Sequence, residues 1–260
     1  MHKFNPKQKF LLSAEYLFDL KPLKQYDLIF DNLDLFPLEA HASSTGRPPI
    51  DRQSLLKALV FKNLRGLTNL SDLANELSDN PSLSLKCGFD IQKLTPAVET
   101  FSAFLKDTPL ETLRSLQTKL VSELIRLNQI SGKYLAIDSA PIKANVKENN
   151  PKTSVKNRFK KDKIPKGDPD ARLGVIINSS EPLQDKIQFF WGYKNFVVSD
   201  AITELPILQL TKPANIHDSQ IFIPIFTQVK NTFSLPIKGI IGDAAFDSQN
   251  ILEFIIQDNT

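Results

Sequence analysis

The sequence predicts an α+β fold in two parts, an N-terminal all-α, helix-turn-helix-like domain over residues 1–130 and a mixed β-sheet domain with flanking helices over 131–260. Up to about residue 129, apolar residues recur at intervals of three and four, the spacing of one face of an α-helix. From Ser131 onward, short segments rich in Ile, Val and Phe alternate with turn residues, as in strands. With 260 residues and 41% apolar residues, the chain can build a sizeable core.

The first predicted helices are short. Leu11–Leu20 and Tyr26–Phe36 have helical spacing, and the stretch 41–51 has the composition of a turn. Asp51 is the predicted N-cap of a stronger helix, RQSLLKALVFKNLR, which ends at Gly66. Four cations at polar positions of this helix favour contact with DNA: Arg52, Lys57, Lys62 and Arg65.

Three further helices follow. One begins at Thr68 or Ser71 and is expected to stop at Pro81, with a loop through CGFD after it. The next begins at Pro96, because proline is favoured in a first turn, and the longest runs from Pro109 to about Gln129. Two helices joined by a short turn with glycine suit a helix-turn-helix, but the same pattern fits any small helical bundle.

The C-terminal part contains strand-like segments separated by turns. In chain order they are KYLAID, RLGVIIN, KIQFFWGYKNFVVSD, PILQLTKPAN and IKGIIGD. The third and fourth are expected to form an antiparallel hairpin that turns between Ala201 and Leu205. Asp218 is the predicted cap of a helix that contains Pro224, and a last helix begins near Ser248.

Two aspartates each close a short apolar run. Asp138 follows YLAI, and Asp243 follows KGIIG. An acid at the end of a buried strand is accessible at a sheet edge, although either residue could instead start a turn or cap a helix. If the two carboxylates converge to about 4 Å, they repel by about 4 kcal/mol at an effective dielectric near 20. A divalent cation removes that repulsion, so a converged pair predicts Mg²⁺ or Mn²⁺.

A basic block lies between the first two strand-like segments. Its nine cations stand against two acids, Glu148 and Asp162, so the block carries +7 while the whole chain carries +3. The pattern predicts a polyphosphate partner, and the alternative is a solvated loop without a partner. The cations are Lys143, Lys147, Lys152, Lys156, Arg158, Lys160, Lys161, Lys163 and Lys166.

Composition excludes several classes of protein. A single cysteine, Cys87, rules out an intramolecular disulfide and is typical of the reducing cytoplasm. A structural zinc site is not expected with one Cys and three His. No run of 18 apolar residues and no signal-peptide pattern is present, so a cytoplasmic protein without a membrane partner is expected.

Five strings resemble, in their order, bacterial insertion-sequence transposases of the DDE superfamily, whose catalytic domain has a ribonuclease-H-like fold. The first runs from RPPIDRQSLL to KCGFD and resembles the N-terminal helical domain of that family. The others are AIDSAPIKA, GDPDARLG, the segment from FFWGYKN to ANIHDSQ, and IIGDAAFDS. The resemblance extends from about residue 41 to the end of the sequence given.

The resemblance implies a site and its ligands. Asp138 matches the first catalytic and metal-binding aspartate and Asp243 the second, with two Mg²⁺ or Mn²⁺ ions in a complete enzyme. DNA, as transposon ends and as target, is the implied partner, bound by a homo-oligomer. The residues expected to contact DNA are Lys143, Lys147, Lys152, Lys156, Arg158, Lys160, Lys161, Tyr193 and Lys194.

The family's third acid has no counterpart among these residues. It is a Glu in a YREK-like string, which this sequence lacks, and Glu253 is not expected to replace it. The sequence is therefore expected to be a truncated transposase with an incomplete ribonuclease-H-like domain, inactive alone. The alternatives are a non-catalytic DNA-binding remnant that interferes with a full-length copy, and a ribonuclease-H-like nuclease that hydrolyses DNA without strand transfer.

Two residues near these strings allow opposite interpretations. Trp191 could stack on a flipped base or pack in the core, and core packing is the simpler expectation. Ser139 could orient the carboxylate of Asp138 or cap a turn.

Overall fold

The computed structural model describes residues 21–39, 49–178 and 186–258. The chain divides into two compact units, Met1–Gln117 and Thr118–Thr260. The predicted helix Leu11–Leu20 and most of the predicted turn at 41–51 lie outside the described residues. Within the described residues, no helix is long and apolar enough to cross a membrane.

The first unit is helical. Its buried side chains include Phe30, Phe61, Leu73 and Phe101, which come from four different helices and form one core. The helices are α1 (Lys21–Lys24), α2 (Asp27–Asp34), α3 (Arg52–Leu64), α4 (Leu70–Asp79), α5 (Pro81–Cys87), α6 (Val98–Asp107) and α7 (Leu110–Arg126), the last of which continues into the second unit.

The N-terminal caps explain where these helices begin. As predicted, Asp51 caps α3, and its carboxylate accepts a hydrogen bond from the Ser54 amide at 2.7 Å. The prediction of a loop after Pro81 was wrong, because Pro81 ends α4 and also opens α5. Proline needs no hydrogen-bond partner at the first helical position, and the Asn80 side chain caps the Leu83 amide at 3.1 Å.

The second unit contains a sheet and flanking helices. Val121 of α7 is buried in its core, so the last turns of that helix pack with this unit. The remaining elements are β1 (Tyr134–Lys143), β2 (Arg172–Asn178), β3 (Lys186–Asp200), β4 (Pro206–Pro213), α8 (Ser219–Thr232), β5 (Gly239–Ile241) and α9 (Gln249–Asp258).

The sheet is mixed, as predicted. Its described strands have the order β2-β3-β1-β5, and β4 also pairs with β3. β1 and β5 are parallel, whereas every other pairing is antiparallel. The hairpin predicted to turn between Ala201 and Leu205 is the β3–β4 connection. The α+β class predicted from the sequence is therefore confirmed.

Strand β1 is longer than the sequence suggested. Asp138 was expected at its end, but the antiparallel pairing with β3 continues for five more residues, to Lys143 opposite Gly192. Gly192 permits this approach, because a Cβ there would lie 2.0 Å from the carbonyl oxygen of Ile142. Asp138 consequently lies in the middle of β1, at the end of its apolar half.

The two faces of β1 differ. Leu135 and Ile137 are buried on the face that packs with α8, together with Phe196 and Val198 of β3. Asp138 lies on the opposite face and is exposed, because side chains alternate along a strand. The sheet thus presents the acid to solvent from a rigid, core-supported strand.

Candidate functional site

Asp138 and Asp243 are brought together by the parallel pairing of β1 with β5. The last paired residues are Ala136 and Ile241; Asp138 lies two residues further along β1, and Asp243 lies two residues past the end of β5 in extended conformation. Side chains repeat every second residue, so both acids share one face at neighbouring strands, which are spaced by about 4.8 Å. The strands stay close beyond the last pair, since a Cβ on Gly242 would lie 3.3 Å from Cγ2 of Ile137.

Both carboxylates are exposed, and both are oriented by backbone amides. Oδ1 of Asp138 accepts a hydrogen bond from the Ser139 amide at 2.7 Å. Oδ1 of Asp243 accepts one from the Ala245 amide at 3.0 Å, so Asp243 also caps the short 3₁₀ turn Ala244–Phe246. Neither Oδ2 has a hydrogen bond or ion pair to the described residues. Each acid therefore has an oxygen available for a ligand.

This donor set fits a hard divalent cation only in part. Two carboxylates on one face are suitable ligands for Mg²⁺ or Mn²⁺, which prefer oxygen. Among the described residues, no group of three or more His, Cys, Asp or Glu side chains converges to hold a metal. A cation held here by Asp138 and Asp243 would complete its coordination with water, substrate oxygens or further ligands.

A buried acid, Asp218, is linked to Asp138 through Ser139. It is 7% exposed, accepts a hydrogen bond from the Ser139 hydroxyl at 2.8 Å, and forms an ion pair with Lys194 at 2.5 Å. Asp218 is the N-cap residue of α8, as predicted, but its side chain makes no capping hydrogen bond and instead binds Ser139 and Lys194. Ser139 thus binds Asp138 through its amide and Asp218 through its hydroxyl, which supports the orienting interpretation.

We expect Asp218→Asn to lower the free energy of unfolding by about 2–3 kcal/mol, because it leaves the half-buried Lys194 ammonium without its counter-charge. Urea denaturation measures this loss. The exposed residue Asp247 is the matched control, since Asp247→Asn should change stability by less than about 0.5 kcal/mol. The double variant Lys194→Met/Asp218→Asn should lose less than the sum of the single losses. Additive losses would contradict the pairing.

Tyr193 links two of the strings that resemble the family. Its hydroxyl donates to Oδ1 of Asp168 at 2.7 Å, which joins GYK on β3 to GDPDARLG. Burial, followed by this hydrogen bond to a carboxylate, raises the pKa of Tyr193 to about 12. The phenol therefore stays a neutral donor through the physiological range. Its predicted contact with DNA remains a prediction.

The basic block is folded, and two of its nine cations hold it together. Arg158 donates to the backbone carbonyls of Glu148, Asn150 and Thr153. Lys163 forms an ion pair with the buried Glu148 at 3.2 Å. These contacts give Arg158 an internal role beside the DNA contact predicted for it.

Asn149, which the sequence analysis missed, anchors the block to the sheet. Its side-chain amide donates to the Trp191 carbonyl and accepts from the Trp191 amide, at 2.7 and 2.8 Å, like a residue of a neighbouring strand. The indole N–H of Trp191 donates to the Arg158 carbonyl at 2.9 Å, and the side chain is 0% exposed. Trp191 is therefore a core residue, and its burial leaves no ring face for a base. In the sequence, Asn149 is one polar residue among several and carries no distinguishing signal.

The other cations of the block are solvent-exposed. Contacts of Asn149, Arg158 and Lys163 hold the block in a folded conformation. The exposed lysines therefore lie on a folded surface and not on an unstructured loop. This lysine surface consists of Lys143, Lys147, Lys152, Lys156, Lys160, Lys161 and Lys166.

The cations of α3 are mostly committed to the helical unit itself. Arg52 donates to the Thr108 hydroxyl at 3.0 Å, Lys57 pairs with Asp34 at 2.6 Å, and Lys62 donates to the Leu67 carbonyl at 2.6 Å. Arg65 is exposed. Of the four cations expected to favour a DNA contact, three therefore stabilise helix packing or a helix end.

Two family models match the chain. One described as "Transposase DDE domain" matches residues 131–260, which is half of the chain. Another described as "Transposase domain (DUF772)" matches residues 2–107. A comparison with curated proteins found no match.

Two solved structures are similar at low sequence identity. A piggyBac transposase synaptic complex with hairpin DNA, determined by cryo-EM, is 11% identical with a TM-score of 0.36 over 95% of this chain and 49% of that chain. A Mos1 transposase paired-end complex with a left transposon end is 14% identical with a TM-score of 0.27 over 93% of this chain and 67% of that chain. This chain spans about half the length of the piggyBac protein.

Proposed function

We propose that this chain, which belongs to the transposase DDE-domain family, binds DNA and supplies two aspartates to a metal-dependent site. The reactions at this site would be DNA strand cleavage and strand transfer. One observation carries the proposal. The parallel register of β1 and β5 sets Asp138 and Asp243 at the same distance beyond their last pair, on one exposed face.

In this proposal Asp138 and Asp243 hold Mg²⁺ or Mn²⁺ through the oxygens that no backbone amide occupies. Bound divalent metal supplies activation of an attacking oxygen and stabilisation of a leaving oxygen in displacement at phosphorus. The chain's own residues keep the carboxylates in place. The amides of Ser139 and Ala245 fix their orientation, and Asp218 fixes Ser139 from the core side.

The lysine surface supplies DNA affinity in the same proposal. The attraction between DNA phosphates and lysine ammonium groups does not depend on the base sequence. This surface would therefore position DNA without recognising its bases. Arg158 and Lys163 act indirectly, by holding the surface in shape. The contacts of Tyr193 and Lys194 with DNA belong to the same proposal, with Tyr193 on the face of β3 that continues the Asp138 face of β1 and Lys194 on the opposite face.

We further propose that residues 1–260 alone do not cleave DNA. Among the described residues, no third carboxylate lies close to Asp138 and Asp243. Two carboxylates would give a pair of metal ions few protein ligands with which to align a scissile phosphate. A longer polypeptide that carries the third acid, or a full-length subunit in the same complex, would be needed.

A binding and cleavage assay on the genomic DNA that flanks the coding sequence tests this function. The purified chain should retard the flanking fragment more strongly than a scrambled fragment of equal length, and it should leave both uncut in Mg²⁺ or Mn²⁺. Cleavage lost in Asp138→Asn would support the site and contradict inactivity of the chain alone. Equal or absent binding to both fragments would contradict recognition of transposon ends.

The second candidate is a non-catalytic DNA-binding remnant that interferes with a full-length transposase. The absence of a third acid beside Asp138 and Asp243 in the described part of the chain favours it. The two candidates separate when a full-length relative is added, since a remnant would lower that enzyme's cleavage of shared ends even with Asp138→Asn and Asp243→Asn in place.

A further inference from the structure

A second concave site lies in the sheet unit and contains neither aspartate. This cleft has a volume of about 860 Å³, within the usual range of about 300–1,000 Å³ for ligand pockets. Its walls come from the folded basic block, from β2 and β3, and from the segment that follows β4. They are partly apolar, through Phe159, Ile164, Val175 and Phe189, and partly cationic.

The apolar part of the cleft offers an exposed aromatic face. Phe189 is 44% exposed, and its ring centroid lies 6.0 Å from that of Phe159, at an interplanar angle of 33°. Val175, directly opposite Phe189 in the β2–β3 register, is 43% exposed and extends the same floor. Contact between water and exposed aromatic or branched side chains is unfavourable. A flat apolar ligand that covers them in a concavity removes this contact.

The rim of the cleft is positively charged. Arg172, held by hydrogen bonds to the carbonyls of Pro169 and Ala171, and Lys194, held by Asp218, line the cleft from the face of β2 and β3 opposite to Val175 and Phe189. Lys161, two residues after Phe159 in the basic block, is exposed, and Asp162 is the acid among the lining residues. An exposed lysine next to an aromatic surface matches an anionic ligand with a flat ring, which is the chemistry of a nucleotide.

We propose that this cleft takes an unpaired nucleotide of a single DNA strand, with the base against Phe189 and Phe159 and the flanking phosphate near Lys161. The inference rests on the proposed function and adds a strand-separated substrate to it. A paired base in a duplex has both faces covered by its neighbours, whereas an unpaired base can stack on an aromatic side chain.

A series of polar contacts connects the cleft to Asp138. Lys194 lines the cleft and pairs with Asp218, Asp218 binds Ser139, and the Ser139 amide binds Asp138. A strand held in the cleft would thus be anchored to the same network that orients the first acid. Occupancy of the cleft would fix the position of the strand relative to Asp138.

Fluorescence anisotropy with a labelled single-stranded oligothymidylate and with a duplex of equal length tests the inference. Phe189→Ala should raise the Kd for the single strand at least about fivefold, as expected for loss of one base–aromatic stack, and change the Kd for the duplex by less than twofold. Ile187→Ala is the matched control, because Ile187 is 59% exposed on the same strand and face but does not line the cleft. It should change neither value.

Phe189→Trp separates stacking from a general folding defect. It should restore single-strand affinity, and its fluorescence should be quenched by the oligonucleotide, while the chain's one natural tryptophan, Trp191, is buried. If Phe189→Ala weakens both DNAs equally, or neither, the cleft does not take an unpaired nucleotide although the protein binds DNA. If the unmodified protein binds neither DNA, the proposed function fails as well.

Discussion

Replacing either Asp138 or Asp243 by Asn is expected to raise the Kd for Mn²⁺ at least tenfold. Each substitution removes one of two carboxylate ligands and one negative charge from the shared face of β1 and β5. Electron paramagnetic resonance of free Mn²⁺ measures the binding directly. The upward shift in Tm that Mn²⁺ gives the unmodified protein should disappear in both variants, because a ligand stabilises only the state that binds it.

The control for this prediction is Asp247→Asn. Asp247 is an exposed acid four residues after Asp243, so its substitution changes net charge equally without touching the pair. It should leave the Mn²⁺ affinity unchanged. Equal loss in all three variants would mean that Mn²⁺ is attracted by general negative charge, and the proposed site would have to be abandoned.

The triple variant Lys152→Gln/Lys156→Gln/Lys160→Gln is expected to weaken DNA binding by about two orders of magnitude or more in 0.1 M salt. Each lysine that neutralises one phosphate contributes about 0.9 to the slope of log affinity against log salt, so three should reduce the slope by about 2.7. A titration of duplex affinity between about 0.05 and 0.3 M salt gives both values. All three side chains are exposed on the lysine surface, so folding should not change.

A charge-matched control uses Lys93 in the loop before α6, Lys106 of α6 and Lys119 of α7. Lys93→Gln/Lys106→Gln/Lys119→Gln removes the same three charges from exposed positions outside the basic block. It should reduce the salt slope by less than about 0.5. If both triple variants reduce the slope equally, DNA binds through overall charge, and the lysine surface has no special role.

The two aspartates of the candidate site could be predicted from the sequence, but their proximity could not. Asp138 and Asp243 could be identified because each follows an apolar run, but that pattern was equally consistent with two caps. Asp243 in fact also caps a turn, so the two interpretations were not exclusive. Only the register of β1 against β5, set between residues about a hundred positions apart, places the two acids on one face.

Charged residues were the least predictable feature. Exposed and internal cations have the same letters in the sequence, and the basic block looked uniform. The structure separates Arg158 and Lys163, which bind carbonyls and a buried acid, from the exposed lysines. It likewise shows that Lys57 and Lys62 serve the helical unit. The partner of a lysine or arginine side chain depends on which residues the tertiary fold brings close to it. The spacing of residues along the sequence does not specify this.

The sequence by itself determined the α+β class, the order of the elements, the hairpin between β3 and β4, and most helix starts, because periodicity, caps and breakers act over a few residues. The tertiary structure alone decided the extension of β1 past Asp138, the burial of Trp191, the pairing of Asp218 with Ser139 and Lys194, and the aromatic cleft beside them. Each of these depends on contacts between segments distant in the chain, where strand register and side-chain packing select one partner among many that the residue types would allow.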